Sequence, residues 1–389
     1  MKIQIIHFTT ADWESYHRKE MIKTLARVGG DSVDILCINR PIDFFVTPIK
    51  HISKFIKWIF GKDRFEKIYE NMYIYTPLIL IHDLIASRLP ILSSLQISSL
   101  RRQILKRISL HDSKELICWI GSPNQSHFIK LFPESTIVYD IIDEETMTIT
   151  GKVIELTKKI EHALLKRADI VFTASENLYN TKKKIALNVH YIPTGINVNF
   201  IKSNSDPIPR DIIEIYNNIP SPRIGYLGNV RNWMDFSLLH YIALSKANYS
   251  FVFIGAINKH APINKISNLK NVFFLNKVHY DQAIFHLKQM DVCIIPFIIN
   301  KFMVNSCPYK LFDYLAANKP VVSTDLPEAR KFYPYVLTAT DKEEFVRLLE
   351  ESVKISPDYQ IPPEIIKENL WDNRVKQMLK VMDDTVNNR

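Results

Sequence analysis

Glycine is scarce in this chain, at nine among 389 residues. Few turns can therefore use it, and Asn stands at turn positions such as Asn276 and Asn318, where it tolerates positive φ better than other side chains. Cysteine is scarcer still. Cys37, Cys118, Cys293 and Cys307 are scattered with no C-x-x-C pair, which argues against a zinc site or disulfide framework and fits a reducing cytosol. No run reaches the ~18–20 uninterrupted apolar residues that a spanning helix needs. The best attempt, Leu78–Leu95, is broken by His82, Asp83 and Arg88. The opening Met1–His7 is too short an apolar run for a secretory leader and reads as a buried first strand. There is no internal repeat and no low-complexity tract.

What remains has soluble globular composition, 47% hydrophobic and 23% charged, in a length that calls for two domains. The formal charge is +9, and most of the excess is local. Between Lys50 and Arg107 stand eleven Lys or Arg against four acids, interleaved with Ile52, Phe55, Ile56, Trp58, Ile59 and Phe60 and then with Leu78–Ile81. Lys50, Lys54 and Lys57 recur at helical spacing with apolar residues on another side. Such a basic amphipathic helix suits an anionic bilayer surface, or else it covers the protein's own core. No nucleic-acid module accompanies it, so a nucleic-acid partner is not expected.

Short apolar runs alternate with helical stretches along the first half: Ile3–Phe8, Val33–Ile38, Leu116–Ile120, Thr136–Asp140, Asp169–Thr173 and His190–Pro193 read as strands. Helices are expected at Ser15–Val28 and Val153–Arg167. That rhythm predicts an α/β fold with parallel sheets, whose ligands gather at the carboxyl ends of the strands. There the run Val138–Glu145 places Asp140, Asp143, Glu144 and Glu145 together. Crowded carboxylates raise one another's pKa, which suits a general base, with Asp143 first and Asp140 second; acids at a helix N-terminus would look the same. His7 and Thr9 end the first strand, across the same cleft, and His7 reads first as a core or loop histidine. Pro207, Pro209, Pro220 and Pro222 mark a linker, after which the rhythm restarts at Arg223–Leu227 and the turn Gly228–Trp233.

The most informative stretch is Asn305–Thr324, which reads as a loop, a helix over about Pro308–Ala317 and a strand. Pro308 suits a helix start, and Asn318 suits a left-handed cap. Lys310 and Asp313 share a face near the first turn, where a helix N-terminus with a basic side chain favours phosphate.

The pattern Pro308-x-Lys310-x-x-Asp313-Tyr314-x-Ala316-x-x-x-Pro320-Val321-Val322 resembles the nucleotide-sugar signature of GT-B glycosyltransferases. It is most similar to bacterial surface-polysaccharide enzymes of the family 4 kind, such as the teichuronic acid transferases and the xanthan glucuronosyltransferase. Val138–Glu145, Ala168–Leu178 and Val189–Asn197 extend the resemblance, which covers about residues 115–389. It implies two Rossmann-like, doubly wound domains facing across a cleft. These are an acceptor domain at 1–200, a linker at 201–222, a nucleotide-sugar domain at 223–365 and a helix at 366–389 crossing back to the first domain.

The resemblance further implies transfer of a sugar from a UDP- or GDP-sugar to a lipid-linked glycan in cell-surface polysaccharide assembly, with no metal and no other cofactor. Gly228, Arg231, Val278, Asn305, Ser306, Tyr309, Lys310 and Asp313 would hold the donor, Lys310 and Arg231 on the diphosphate and Asp313 on the ribose. The family's paired Glu positions are Asn305 and Asp313 here, which weakens the retaining signature and favours inversion. A cytoplasmic protein, peripheral on the inner face of the membrane through 50–107, is expected. Two other readings use the same fold: a sugar-nucleotide epimerase that needs no acceptor, and an inactive scaffold subunit that would tolerate loss of Lys310.

Overall fold

The computed structural model describes residues 2–44, 47–61, 64–79, 90–107 and 115–387. The chain folds as two compact units, one of Met1–Thr146, Val153–Ile192 and Arg374–Arg389, the other of Met147–Lys152 and Pro193–Asn373. The sequence-based division had a single boundary near 200 and a linker at 201–222. In the structure that stretch carries two helices, Val198–Asn204 and Arg210–Tyr216, within the second unit.

The first unit is built on strands β1 (Ile3–Phe8), β2 (Val33–Ile38), β3 (Ile42–Asp43), β4 (Phe65–Tyr69), β5 (Met72–Tyr75), β6 (Leu78–Ile79), β7 (Glu115–Ile120), β8 (Thr136–Ile141), β9 (Ile170–Thr173) and β10 (Val189–Tyr191). Eight of them form a sheet in the order β10-β9-β8-β7-β1-β2-β5-β4, parallel except for the β4–β5 pair. Every residue of β1 and β8 is buried, as expected of parallel strands covered on both faces. One face of the sheet rests on Ile6, Phe8, Leu36, Ile120, Tyr139 and Ile141, packed with Leu164 and Leu165 of the helix Glu155–Arg167.

The second unit has strands β11 (Arg223–Leu227), β12 (Ser250–Ile254), β13 (Val272–Leu275), β14 (Val292–Ile295), β15 (Val321–Thr324) and β16 (Val336–Ala339), all parallel in the order β13-β12-β11-β14-β15-β16. Each sheet has a point where strand order reverses: β1 against β7 in the first, β11 against β14 in the second. Ligand crevices form at such points.

Three differences from the sequence reading have local causes. The expected final helix, 366–389, is two helices, Pro363–Glu368 and Trp371–Asn387. Between them the backbone of Ile196 bonds to Asn369 O (2.7 Å) and accepts from Trp371 N (3.0 Å), which breaks the helical ladder. The β4–β5 hairpin occupies ground that was read only as basic and aromatic, because its residues lack the alternation of a half-buried strand. The Leu78–Ile81 run and residues 80–89 lie largely outside the described residues.

Candidate active site

The second reversal point is assembled by the helix Tyr309–Ala316. Pro308 precedes its first turn with φ −65°, and its missing N–H is no loss there. Leu311, Phe312, Leu315 and Ala316 are buried. Tyr314 is buried too and anchors the helix: its hydroxyl accepts from Leu227 N at 2.8 Å, at the end of β11. That anchoring sets Lys310 beside the turn after β11. A Cβ on Gly228 would lie 3.4 Å from Lys310 Cε, and Lys310 Nζ stands 4.6 Å from the Phe297 ring centre and 5.1 Å from that of Tyr226.

Gly228 (φ +125°) and Gly255 (φ +149°) end β11 and β12, where only glycine is unstrained. A Cβ on Gly255 would overlap the Gly228 carbonyl. Two bare backbones therefore meet at the foot of the lysine, leaving room for a ligand to approach the main chain. The sequence reading used Gly228 but missed Gly255 as a site residue; the signal available was a glycine just past a strand in a chain with so few.

Asp313, one turn beyond Lys310, accepts from the Tyr280 hydroxyl at 2.8 Å. Burial pushes Asp313 up to about 6, against the Tyr280 hydrogen bond and Lys310, which favour the charged form. Burial pulls Lys310 down to about 8, opposed by Asp313. Arg231 lies over the Trp233 ring at 4.9 Å, with its buried Nε unpartnered. Trp233 and Arg231 reach the same wall, since the Trp233 ring is 6.5 Å from Phe297. Val278 precedes Tyr280 in the turn after β13, and Tyr309 opens the helix of Lys310. The Asn305 amide donates to Lys301 O at 2.8 Å, which holds it in its own turn with Ser306 next to it.

In the first unit the reversal point holds a cavity of about 850 Å³ lined by the ends of β1 and β2 and the turn after β7, including Thr9, Asn39, Arg40, Ser122 and His127. Gln125 ties those turns together, donating to Thr9 O (2.8 Å) and accepting from Gly121 N (3.0 Å). Lys54 closes on Asp12 at the rim.

The four carboxylates at the end of β8 and just after it have four different surroundings. Asp140 is fully buried, and its Oδ1 accepts from Arg18 Nη2 at 2.8 Å with both side chains shut away from solvent. A carboxylate so enclosed and paired is not available as a base, which corrects the second choice made from sequence. It holds β8 to the start of the helix Lys19–Gly29. Glu144 and Glu161 share the buried Lys182, at 3.0 and 2.6 Å. Asp143 is the most exposed residue of the four, yet partial loss of water still raises its carboxyl, against His17 and Arg18. Glu145 is half-buried and accepts at 2.6 Å from the Oγ of Ser122, a residue of the cavity's wall. Burial first, against that hydrogen bond, and then Asp143, Glu161 and Glu144 push Glu145 up to about 7. Loss of water rather than crowding is thus the main cause. His7 is a core histidine: buried, 2.8 Å from the Tyr16 hydroxyl and pulled down to about 3 by burial and Arg18.

Two doubly wound units of these strand orders, with a bare glycine turn and a Lys-x-x-Asp helix at the second reversal point, define the GT-B fold class. Residues 221–353 match the family described as glycosyl transferases group 1. Over 232 residues the chain is 26% identical to TuaH of Bacillus subtilis (strain 168), assigned as a glycosyltransferase of teichuronic acid biosynthesis; the match covers 56% of this chain and 58% of that protein. Among solved structures it resembles a sucrose-phosphate synthase from Thermosynechococcus elongatus (TM-score 0.73, 12% identity, all of both chains). It also resembles an E. coli trehalose-6-phosphate protein bound with UDP-2-fluoro glucose (TM-score 0.71, 12% identity, 98% of each chain). The fold is that of the GT-B class, and the chain is similar in sequence to glycosyltransferases over residues 221–353 and over part of TuaH.

Proposed function

We propose that the chain transfers a sugar from a UDP- or GDP-sugar to a lipid-linked glycan acceptor in surface-polysaccharide assembly. The observation that carries this reading is Lys310 set beside Gly228 at the second reversal point, with Asp313 one turn away. Lys310, Arg231 and the N–H groups of the Gly228 turn would meet the diphosphate and its growing charge as the glycosidic bond breaks, without a metal ion. Asp313 would accept from the ribose hydroxyls, and Val278 would border the base. Asn305 and Ser306 would lie towards the sugar.

The first unit's cavity would take the acceptor. Glu145 has the pKa of a general base at neutral pH, and Asp143 is the exposed alternative beside it. The helix Ile52–Ile59 leaves Ile52, Ile56 and Ile59 64%, 45% and 52% exposed beside Lys54 and Lys57, which suits the cytoplasmic face of an anionic bilayer. Among the described residues no helix is long and apolar enough to cross a membrane.

Calorimetric titration with a panel of nucleoside diphosphates tests the donor site. One of them should bind tightest between about pH 6 and 8, where Asp313 is ionised and Lys310 charged. Above pH 8 affinity should fall about tenfold per pH unit, as binding must then take up a proton. Lys310→Gln should cost about tenfold or more at pH 7. Binding that ignores Lys310→Gln, or no binding at all, would overturn the assignment.

A further inference from the structure

A second cavity in the first unit, of about 620 Å³, lies between the helix Ile52–Ile59, the β4–β5 hairpin and the helix Pro90–Leu105. Its wall carries Arg64, Lys106 and Arg107 with Trp58, Tyr75 and Gln103, and among the described residues no acidic one lines it. No described carboxylate pairs with any of the three cations. Among the described residues, two of them meet aromatic rings and no counter-ion. The Arg64 guanidinium lies 4.4 Å from the Trp58 ring centre, and that of Arg107 lies 5.6 Å from both Phe65 and Tyr75. The rings are themselves fixed: Trp58 Nε1 donates to Thr76 O at 2.9 Å, and the Tyr75 hydroxyl donates to Gln103 Oε1 at 3.0 Å.

Three like charges round one cavity repel one another, and stacking offsets this only in part. An oxyanion in the cavity would relieve the repulsion, and a guanidinium held flat on a ring still presents its N–H edge in the fork that suits phosphate. Trp58 lies on the inner side of the helix whose outer side exposes Ile52, Ile56 and Ile59. Charge and apolar surface are therefore continuous, as they are in a phosphate-bearing amphiphile.

We propose that this cavity is a phosphate-binding site, distinct from both reversal points, that takes the phosphate mono- or diester group of an anionic lipid or of a soluble phosphate compound. The assignment deepens the membrane part of the proposed function and is independent of its transferase part.

Flotation with vesicles of phosphatidylcholine alone, or of equal parts phosphatidylcholine and phosphatidylglycerol, supplies the lipid arm. Calorimetry with inorganic pyrophosphate on a Lys310→Gln background, which silences the donor site, supplies the soluble arm. The variants are R64Q/R107Q, the single charge reversal Lys106→Glu in case stacking is needed for folding, and K158Q/K166Q on the exposed face of the helix Glu155–Arg167 as a control of equal charge.

Both cavity variants should lose about tenfold in affinity while the control stays within about twofold. Loss on phosphatidylglycerol vesicles alone identifies a bilayer headgroup, and loss with pyrophosphate as well identifies a freely diffusing phosphate. Equal losses in cavity variants and control, or no binding in either arm by the unmodified cavity, would overturn the site. Vesicle binding lost with every variant, together with intact nucleotide binding at Lys310, would remove this site and leave the transferase reading standing.

Discussion

At the scale of single residues, the four carboxylates at the end of β8 and just after it show how position overrides type. Asp140 is a buried strut whose removal would strand Arg18 without its charge partner, a situation that costs far more than an exposed pair is worth. Glu145, five residues on, is raised to about 7 from its ordinary 4.5. In its proposed role as base Glu145 must be ionised, so kcat/KM should rise with pH through about 7 in the unmodified chain. Glu145→Gln should abolish that limb and lower kcat by about 10²–10⁴, whereas Asp143→Asn should leave the limb in place. A pH–rate profile of the two variants decides it, and the reverse pattern would hand the role to Asp143. The sign for folding is opposite: the native state holds the proton more tightly, so ionising Glu145 between pH 4.5 and 7 weakens the fold. The sequence showed that carboxylates gather here. It could not rank them, because burial and the reach of Arg18, 122 residues away, are tertiary facts.

At the scale of elements, helix ends were more legible than helix continuity. Asn318, read from sequence as a left-handed cap, has φ 56°, and it is the one non-glycine residue with positive φ among those described. Its side chain also donates to Tyr359 O (3.0 Å) and accepts from Ile361 N (2.7 Å). Asn318→Ala should therefore cost about 1–3 kcal/mol in urea unfolding, combining the left-handed strain with lost hydrogen bonds. Asn318→Gly should recover only the strain part. A cost for Asn318→Ala no greater than for Asn318→Gly would mean that the φ angle carries none of it. Asn276, given the same role, has no positive φ. At Gly195 what demands glycine is crowding: a Cβ there would stand 2.8 Å from Trp371 N and Cα. Local propensity marks positive φ, while close approach of a distant segment leaves no local trace.

At the scale of the whole molecule, the α/β rhythm and the two-unit plan were legible because strand runs buried on both faces stand out in any sequence. The assignment of every segment to its unit was less so: the return of the last helix was expected from the resemblance alone, and nothing local marks Met147–Lys152, which cluster with the second unit. Residues 374–389 cluster with the first unit, although they follow the second in sequence. Val375, Met378 and Met382 of that tail are fully buried, and Asn188 Nδ2 bonds to Thr385 Oγ1 at 3.1 Å. Each apolar side chain of this kind contributes about 1.5–3 kcal/mol. Truncation after Asn373 should therefore speed amide hydrogen exchange across 1–146 and 153–192 while leaving 193–373 protected. Equal protection throughout would show that the tail adds nothing to the first unit.

The cysteines, so few and so scattered, are shared evenly between the units: Cys37 and Cys118 in the first, Cys293 and Cys307 in the second, all buried. Burial pushes the Cys118 and Cys293 thiols up to about 12, and Cys37 higher still. An alkylating reagent needs an exposed thiolate and meets none while the chain is folded. Each modification therefore timestamps an opening event, and the modified position says which half opened. The native chain carries two internal clocks for its own breathing, with no label to introduce.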